Sequence, residues 1–379
     1  MSARTRHAVL AAGGTGGHMF PAQALARELL AREVSVSLVT DRRGGGFGPD
    51  LMQVETHFIS AGGLAGAGLM GKALGAMRLT MGTAQAYRLL RHLGADTVVG
   101  FGGYASVPTV LAGTWRGLCV VLHEQNAVLG RANRLLAARA QAIATAFDTV
   151  DGIADADQAK VRVTGNPVRA AIAALGHRPY AVPGEADPLR LLVIGGSQGA
   201  TIFNEVVPDA LCRLPAPLRA RLRVDQQVRG PAIEPIAAAY RARGVSCDLR
   251  AFFDDMPARL AAAHLVIARA GASTIAELAA AGRPGLLVPY PAATDDHQSA
   301  NAYRLVEAGG GWLLPQATLS AERLAERLET LLSDPSLLAR AGGCARAIAR
   351  GDAARALADL VCTVSNGDDS RADRGRVAA

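Results

Sequence analysis

The stretch His7-Ala8-Val9-Leu10-Ala11-Ala12-Gly13-Gly14-Thr15-Gly16-Gly17-His18 decides the reading of the chain. A short apolar run ends in a glycine cluster, and an amphipathic stretch from about Pro21 to Ala31 follows. That order reads as a buried strand, a tight turn and a helix. The same passage recurs midway, where Leu189–Gly195 runs into Gly196-Ser197-Gln198-Gly199 and a helix begins near Thr201. Val34–Thr40, Val98–Gly100, Leu118–His123 and Ala142–Ala146 read as further strands of the first series. Arg221–Gln226, Cys247–Phe252, Leu265–Ala268 and Gly285–Pro289 continue the second. Strands alternating with helical stretches make βαβ units, hence parallel sheets covered on both faces. The expected fold is α/β, with two Rossmann-like doubly wound domains facing across a cleft, where ligands bind beyond the carboxyl ends of the strands. Residues 1–170 read as the first domain, 171–188 as a linker, 189–365 as the second domain and 366–379 as a disordered polar tail.

Composition excludes several classes. With 379 residues, half of them hydrophobic and 19% charged, the chain has ample apolar surface for two or three domains and is not intrinsically disordered. A net charge of +7 favours anionic partners without naming one. The basic excess is diffuse and no nucleic-acid-binding motif is present, so no nucleic acid is expected as a partner. Cys119, Cys212, Cys247, Cys344 and Cys362 are odd in number and scattered, which predicts neither a disulfide framework nor a zinc site. The apolar run after Arg4 and Arg6 enters glycines instead of a cleavage site, so it is not a signal peptide. Thr97 to Trp115 is uncharged but broken by glycines and Pro108, and does not read as a spanning helix.

Each glycine turn leaves backbone N–H groups exposed at a helix start, where the helix dipole adds positive potential. Such a site suits a phosphate or a developing oxyanion, although glycines also serve simply to turn the chain. Gly14-Thr15-Gly16-Gly17-His18-Met19 is not the dinucleotide fingerprint, and no GxxxxGK[ST] sequence occurs. Asp41 stands where a dehydrogenase would hold a ribose, which keeps an oxidoreductase in view. His18 starts a helix, and there the imidazolium is disfavoured, so a neutral general base is one role and a helix cap the other.

Beyond these generic features, several motifs occur in a fixed order. They are Gly13-Gly14-Thr15-Gly16-Gly17-His18, Gly102-Gly103-Tyr104, His123-Glu124-Gln125-Asn126 and Gly165-Asn166-Pro167-Val168-Arg169 in the first half. Gly196-Ser197-Gln198-Gly199-Ala200, Phe252-Phe253-Asp254-Asp255-Met256, Arg269-Ala270-Gly271-Ala272-Ser273-Thr274-Ile275-Ala276-Glu277 and His297-Gln298 follow in the second. From about residue 8 to residue 350 this set resembles the family 28 glycosyltransferases of the GT-B fold that act in peptidoglycan synthesis. Against that family's common pattern, His297-Gln298 replaces Gln-Gln, and Ser273-Thr274-Ile275-Ala276 replaces Leu-Thr-Val-Ser.

The resemblance implies transfer of N-acetylglucosamine from UDP-GlcNAc to a lipid-linked muramoyl-pentapeptide, lipid I, giving lipid II with inversion at the sugar carbon. It makes His18 the candidate base. It places Thr15, Gly16, Gly17, Asn126 and Arg169 at the donor from the first half. Ser197, Phe253, Ala272, Ser273, Thr274, Ile275, Ala276, Glu277 and Gln298 would reach it from the second. Phe253 would line the uracil slot with backbone and ring, Glu277 would accept the ribose hydroxyls, and Gln298 would bind the sugar. Gly14, Tyr104 and Glu124 are the candidate acceptor contacts. No cofactor is implied: UDP-GlcNAc is a substrate, and loop amides with a helix dipole would offset its diphosphate without a metal. Asp155-Ala156-Asp157 matches the Asp-x-Asp string of metal-dependent transferases but lies in a remote polar segment.

From Thr56 to Ala95 no acidic residue occurs, while Lys72, Arg78, Arg88 and Arg91 do. Met70, Leu74, Met77 and Met81 recur on one helical stripe. The stripe either packs on the sheet, where methionine fills gaps well, or meets the anionic headgroups of the cytoplasmic leaflet, each nearby cation contributing about 1 kcal/mol. A lipid-borne acceptor favours the second reading and a peripheral place on the inner membrane, with other cell-wall synthesis proteins as further partners. The rivals are a GT-B enzyme with another glycolipid or aglycone acceptor, a UDP-GlcNAc epimerase, which would need no acceptor, and a nicotinamide-dependent dehydrogenase.

Overall fold

The computed structural model describes residues 7–13, 16–41, 46–47, 51–62, 69–196 and 199–376; the side chains of residues 69, 70, 72, 231 and 368–376 are outside the description. Gly14, Thr15 and Ser197, with the side chains of Met70 and Lys72, therefore lie outside the described residues. The chain divides into two compact units, Met1–Val168 with Asp352–Ala379, and Arg169–Gly351.

The first unit is built on seven strands: β1 His7–Ala11, β2 Ser35–Thr40, β3 Glu55–Phe58, β4 Thr97–Gly100, β5 Cys119–Glu124, β6 Ala142–Thr145 and β7 Val161–Val163. They lie in the order β3-β2-β1-β4-β5-β6-β7. Every pair is parallel. Because side chains alternate across a strand, Leu10 joins a core with Leu25 and Leu29 of the helix Gly16–Ala31. Its neighbour Val9 faces the opposite core with Val98, Val110 and Leu90. Both faces of the sheet are thus buried, which is why its central strands read as unbroken apolar runs.

The second unit repeats the plan with β8 Leu189–Ile194, β9 Leu222–Gln227, β10 Ser246–Arg250, β11 Leu265–Ala268, β12 Gly285–Leu287 and β13 Gly311–Leu313. Their order is β10-β9-β8-β11-β12-β13, again all parallel. In both sheets the strand order reverses beside the first strand, between β1 and β4 and between β8 and β11. The register sets the two strand ends level: Ala11 pairs with Gly100, and Ile194 with Ala268. The loops that leave them, all glycine-bearing, therefore emerge side by side at the reversal point, where doubly wound sheets hold their ligands.

Three elements differ from the sequence expectation. Strands β3, β7 and β13 are absent from it, and all three are sheet edges of three or four residues. An edge strand has one partner and little buried surface, so it carries neither an apolar run nor a clear alternation. The segment read as a linker belongs to the second unit: Ile172 and Leu175 are buried, in the short helices Ala170–Ala173 and Ala174–His177. The end of the chain returns to the first unit instead of closing the second. Its helix Ala353–Arg376 buries Leu357, Ala358 and Val361 in the core with Leu25 and Leu29. Arg32 also pairs with Asp359 at 2.7 Å. The expected disordered tail is thus helical as far as Arg376.

Candidate active site

In the first unit the reversal point is built around His18, in the first turn of the helix Gly16–Ala31. Its ring lies against three glycines from two loops. A Cβ added at Gly13 or Gly103 would sit 3.4 Å from the ring's Cδ2, and one at Gly102 3.3 Å from Cε1. Gly102 and Gly103 also hold φ of 85° and 73°, a region other residues rarely adopt. Backbone angle calls for glycine at Gly102 and Gly103, and at Gly102 the imidazole also leaves little room for a side chain.

Behind His18 runs a chain of side-chain hydrogen bonds. His18 Nδ1 lies 3.0 Å from Gln125 Oε1. Gln125 Nε2 donates to the His123 carbonyl at 3.0 Å and lies 2.8 Å from His123 Nδ1. His123 Nε2 lies 3.1 Å from the Gly165 carbonyl. The His123 ring is fully buried, and burial lowers its pKa to about 4, with the neighbouring His18 adding a smaller push in the same direction. His123 is therefore neutral at physiological pH.

Glu124 is turned into its own loop. Oε1 accepts from the backbone and side-chain nitrogens of Asn126 at 3.0 and 3.1 Å. Oε2 accepts from Gly130 N at 2.9 Å and Asn133 Nδ2 at 2.8 Å. With four donors on one buried carboxylate, Glu124 shapes the loop after β5. Tyr104 is half-buried in the turn before the helix Ser106–Trp115. Asn133 was not singled out by the sequence reading, although it ties the loop together from ten residues beyond His123.

In the second unit, Gly195 follows β8 so closely that an added Cβ would lie 2.5 Å from Ala200 N. Gly196 and Gly199 hold φ of 73° and 77°. The Arg229 side chain lies over Gly199, with Cδ 3.3 Å from the position of an added Cβ. After β11, Gly271 caps the ten-residue helix Ala272–Ala281 with no side-chain hydrogen bond to its first turn. A helix start without a side-chain cap presents its N–H groups to an anion. Ser273 Oγ is buried there without a protein partner.

Glu277, one turn further along, is paired with Arg169 at 3.0 Å. Burial raises its pKa against the pull of that guanidinium. Arg169 belongs to the second unit, not to the first half to which the sequence reading assigned it, because it caps the helix Ala170–Ala173 beside Glu277. Arg269 is structural: it donates to the Val288 and Pro289 carbonyls at 3.1 and 3.0 Å and to Gln316 Oε1 at 2.6 Å.

Phe253 is 1% exposed, and the Arg259 guanidinium covers its ring at 3.9 Å. Arg259 is in turn held by Asp225, Asp248 and Asp255 at 2.8, 2.6 and 2.8 Å. The ring expected to line the uracil slot is sealed, which leaves that loop its backbone. Gln298 Oε1 accepts from Tyr290 N at 2.9 Å, so its N–H groups are what it can direct to a ligand. Just before it, Asp295 and Asp296 both hold left-handed backbone angles, with φ of 53° and 48°.

The helix Leu69–His92 settles which way its stripe faces. Gly75, Gly82, Thr83, Ala86 and Leu90 are its buried side; a Cβ at Gly82 would run into the Ser60 carbonyl, 1.9 Å away. Leu74, Met77 and Met81 are exposed by 43%, 57% and 48%, with Arg78 and Arg88 also exposed. Trp115 and Tyr87 are exposed large side chains that the sequence reading did not include. Asp157 is buried and paired with Lys160 at 2.8 Å. Among the described residues, no cluster of three or more His, Cys, Asp or Glu could hold a metal ion, and no helix is long and apolar enough to cross a membrane.

Comparison with known proteins converges on one family. Residues 8–145 match the glycosyltransferase family 28 N-terminal domain, and residues 190–355 its C-terminal domain. The UDP-N-acetylglucosamine--N-acetylmuramyl-(pentapeptide) pyrophosphoryl-undecaprenol N-acetylglucosamine transferase of Rhodospirillum centenum is 55% identical over 353 residues, 93% of each chain. The crystal structure of Acinetobacter baumannii MurG is 30% identical, with a TM-score of 0.75 over 94% of this chain and 99% of that one. A putative UDP-N-acetylglucosamine 2-epimerase from Listeria monocytogenes has a TM-score of 0.65 over 93% of this chain and 94% of its own, at 16% identity, and shares the fold alone. With such identity along nearly its whole length, the chain belongs to family 28 of the glycosyltransferases, in the branch that carries the peptidoglycan N-acetylglucosaminyltransferases.

Proposed function

We propose that the chain performs the reaction its relatives are named for, moving N-acetylglucosamine from UDP-GlcNAc to lipid I and so forming lipid II. The observation that carries this is the 55% identity along 93% of a transferase so named. Two glycine-lined strand ends, one per unit, give the reaction its parts.

In the second unit, the N–H groups of Ala272, Ser273 and Thr274 receive the diphosphate, that of Ile275 being already bonded to the Gly271 carbonyl at 3.0 Å, and the dipole of the helix Ala272–Ala281 offsets the charge that grows on it as the sugar leaves. Glu277 accepts the ribose hydroxyls, Gln298 donates to the sugar, and the backbone at Phe253 borders the base. In the first unit, His18 takes the proton of the muramoyl hydroxyl as that oxygen attacks the sugar carbon from the face opposite the leaving UDP. One displacement inverts the configuration. Gly16, Gly17 and Asn126 meet the donor from the same side. The exposed Leu74, Met77 and Met81, flanked by Arg78 and Arg88, dock the first unit on the anionic cytoplasmic leaflet from which lipid I is drawn.

The test is incubation with labelled UDP-GlcNAc and a short-chain lipid I analogue, with and without chelator. Label transferred to the analogue at equal rates in both arms is the expected result. Conversion of UDP-GlcNAc without the analogue would identify an epimerase, and failure only with chelator would overturn the amide-and-dipole account of the diphosphate.

A further inference from the structure

The hydrogen-bond chain behind His18 has a direction, and the direction can be read from its ends. The Gly165 carbonyl can only accept, so His123 Nε2 carries a proton. A neutral His123 then presents a lone pair at Nδ1, which only a donor can meet, and the atom there is Gln125 Nε2 at 2.8 Å. The second proton of that amide goes to the His123 carbonyl at 3.0 Å. Both contacts orient the Gln125 amide the same way, so the atom facing His18 Nδ1 at 3.0 Å is the carbonyl oxygen, a pure acceptor. His18 must therefore hold its proton on Nδ1.

We propose that Gln125 is the positioning residue for His18: its side-chain carbonyl, locked by His123 and Gly165, fixes the His18 proton on Nδ1 and makes Nε2 the nitrogen that receives the proton of the acceptor hydroxyl. The inference rests on the reading of His18 as the base. In the step, the hydroxyl oxygen forms its bond to the sugar carbon, the bond from that carbon to the diphosphate oxygen breaks with its electron pair leaving on UDP, and the hydroxyl proton ends on Nε2. As the imidazolium forms, the Gln125 carbonyl still accepts from Nδ1–H, so the chain serves the base before and after transfer.

The experiment combines nitrogen NMR of histidine-labelled protein with kinetics of three variants. The His18 signals are assigned by their loss in His18→Ala. In the wild type, Nδ1 of His18 should appear protonated and Nε2 as the lone-pair nitrogen; the opposite tautomer overturns the proposal without any mutation. Gln125→Leu should return His18 toward the Nε2–H form and lower kcat by on the order of 100-fold, with the UDP-GlcNAc KM little changed. Gln125→Glu keeps an acceptor facing Nδ1, so the tautomer should persist and the acid limb of the pH profile should move to higher pH, because a carboxylate stabilises the imidazolium. If Gln125→Leu is folded and keeps both tautomer and kcat, Gln125 has no positioning role. If His18→Ala keeps turnover, the base assignment itself fails, whatever the glutamine variants do.

Discussion

Arg169 Nη2 donates to Glu277 Oε1 at 3.0 Å, joining two residues 108 positions apart that the motifs suggest as separate donor contacts. The pair ties the start of the helix Ala170–Ala173 to the middle of the helix Ala272–Ala281. Glu277 therefore has one oxygen committed to a cation, which leaves the other for the ribose contact proposed above. Glu277→Gln keeps the shape and loses the charge. Its expected effect is a rise of about tenfold in the UDP-GlcNAc KM, from a weakened hydrogen bond to the ribose, with the lipid I KM unchanged. Steady-state kinetics in both substrates check it, and an unchanged donor KM would remove Glu277 from the ribose site.

Protonation of His123 makes the first unit acid-sensitive. Its pKa is about 4 in the fold and near 6.5 in an unfolded chain. Between those values the unfolded state binds the proton and the folded state does not, so stability rises with pH through this window. The contribution is present in full above pH 6.5 and is lost as pH falls toward 4, amounting to about 3 kcal/mol. Denaturant unfolding of a Trp312→Phe variant, whose remaining tryptophan is Trp115 of the first unit, should show this slope. His123→Gln in the same background should flatten it; an unchanged slope would place the acid sensitivity elsewhere.

The centres of both sheets are legible in the sequence because β1, β4, β5, β8 and β11 are buried on two faces and carry apolar runs, which polar residues interrupt only near the strand ends. The edge strands β3, β7 and β13 are not, since one neighbour demands little of Glu55, Arg162 or Trp312. At the site, the glycine loops and His18 are visible as motifs, for their backbone angles and close approaches admit few residues. Partnerships across the chain are not. Nothing local in Phe253 announces that Arg259 covers its ring, and nothing in Gln125 announces His18, 107 positions earlier. Arg229 over Gly199 is hidden for the same reason: it comes from the end of a neighbouring strand, β9, and only the sheet order brings the two together.

Gly103 tests how closely the glycines and the imidazole depend on one another. Gly103→Ala adds a methyl at φ 73°, 3.3 Å from Gly13 Cα and 3.4 Å from the His18 ring. The backbone angle alone should cost about 1 kcal/mol of stability. Turnover should fall by more than the folded fraction does, because relieving the approach to Gly13 Cα displaces the loops that lie against the His18 ring, while UDP binding to the second unit stays as in the wild type. Calorimetry with UDP, run beside kcat and thermal unfolding, separates these effects. A variant with full kcat would show that the ring tolerates displacement.

Met77 and Met81 carry the membrane prediction, because their helix has its buried side elsewhere, on Gly82, Ala86 and Leu90. A methionine that packed on the sheet would cost stability when replaced by a charge; an exposed one should not. Met77→Glu/Met81→Glu should therefore unfold like the wild type and turn over a water-soluble lipid I analogue at the same rate. Its binding to vesicles containing anionic lipid should weaken at least tenfold, from lost apolar insertion and from two negative charges set against the leaflet. Arg78→Gln should weaken binding less, and its effect should shrink as salt is raised, since screening removes only the electrostatic share. Sedimentation with vesicles of graded anionic content measures both. If the double variant bound as tightly as the wild type, the leaflet would be met by another face of the first unit.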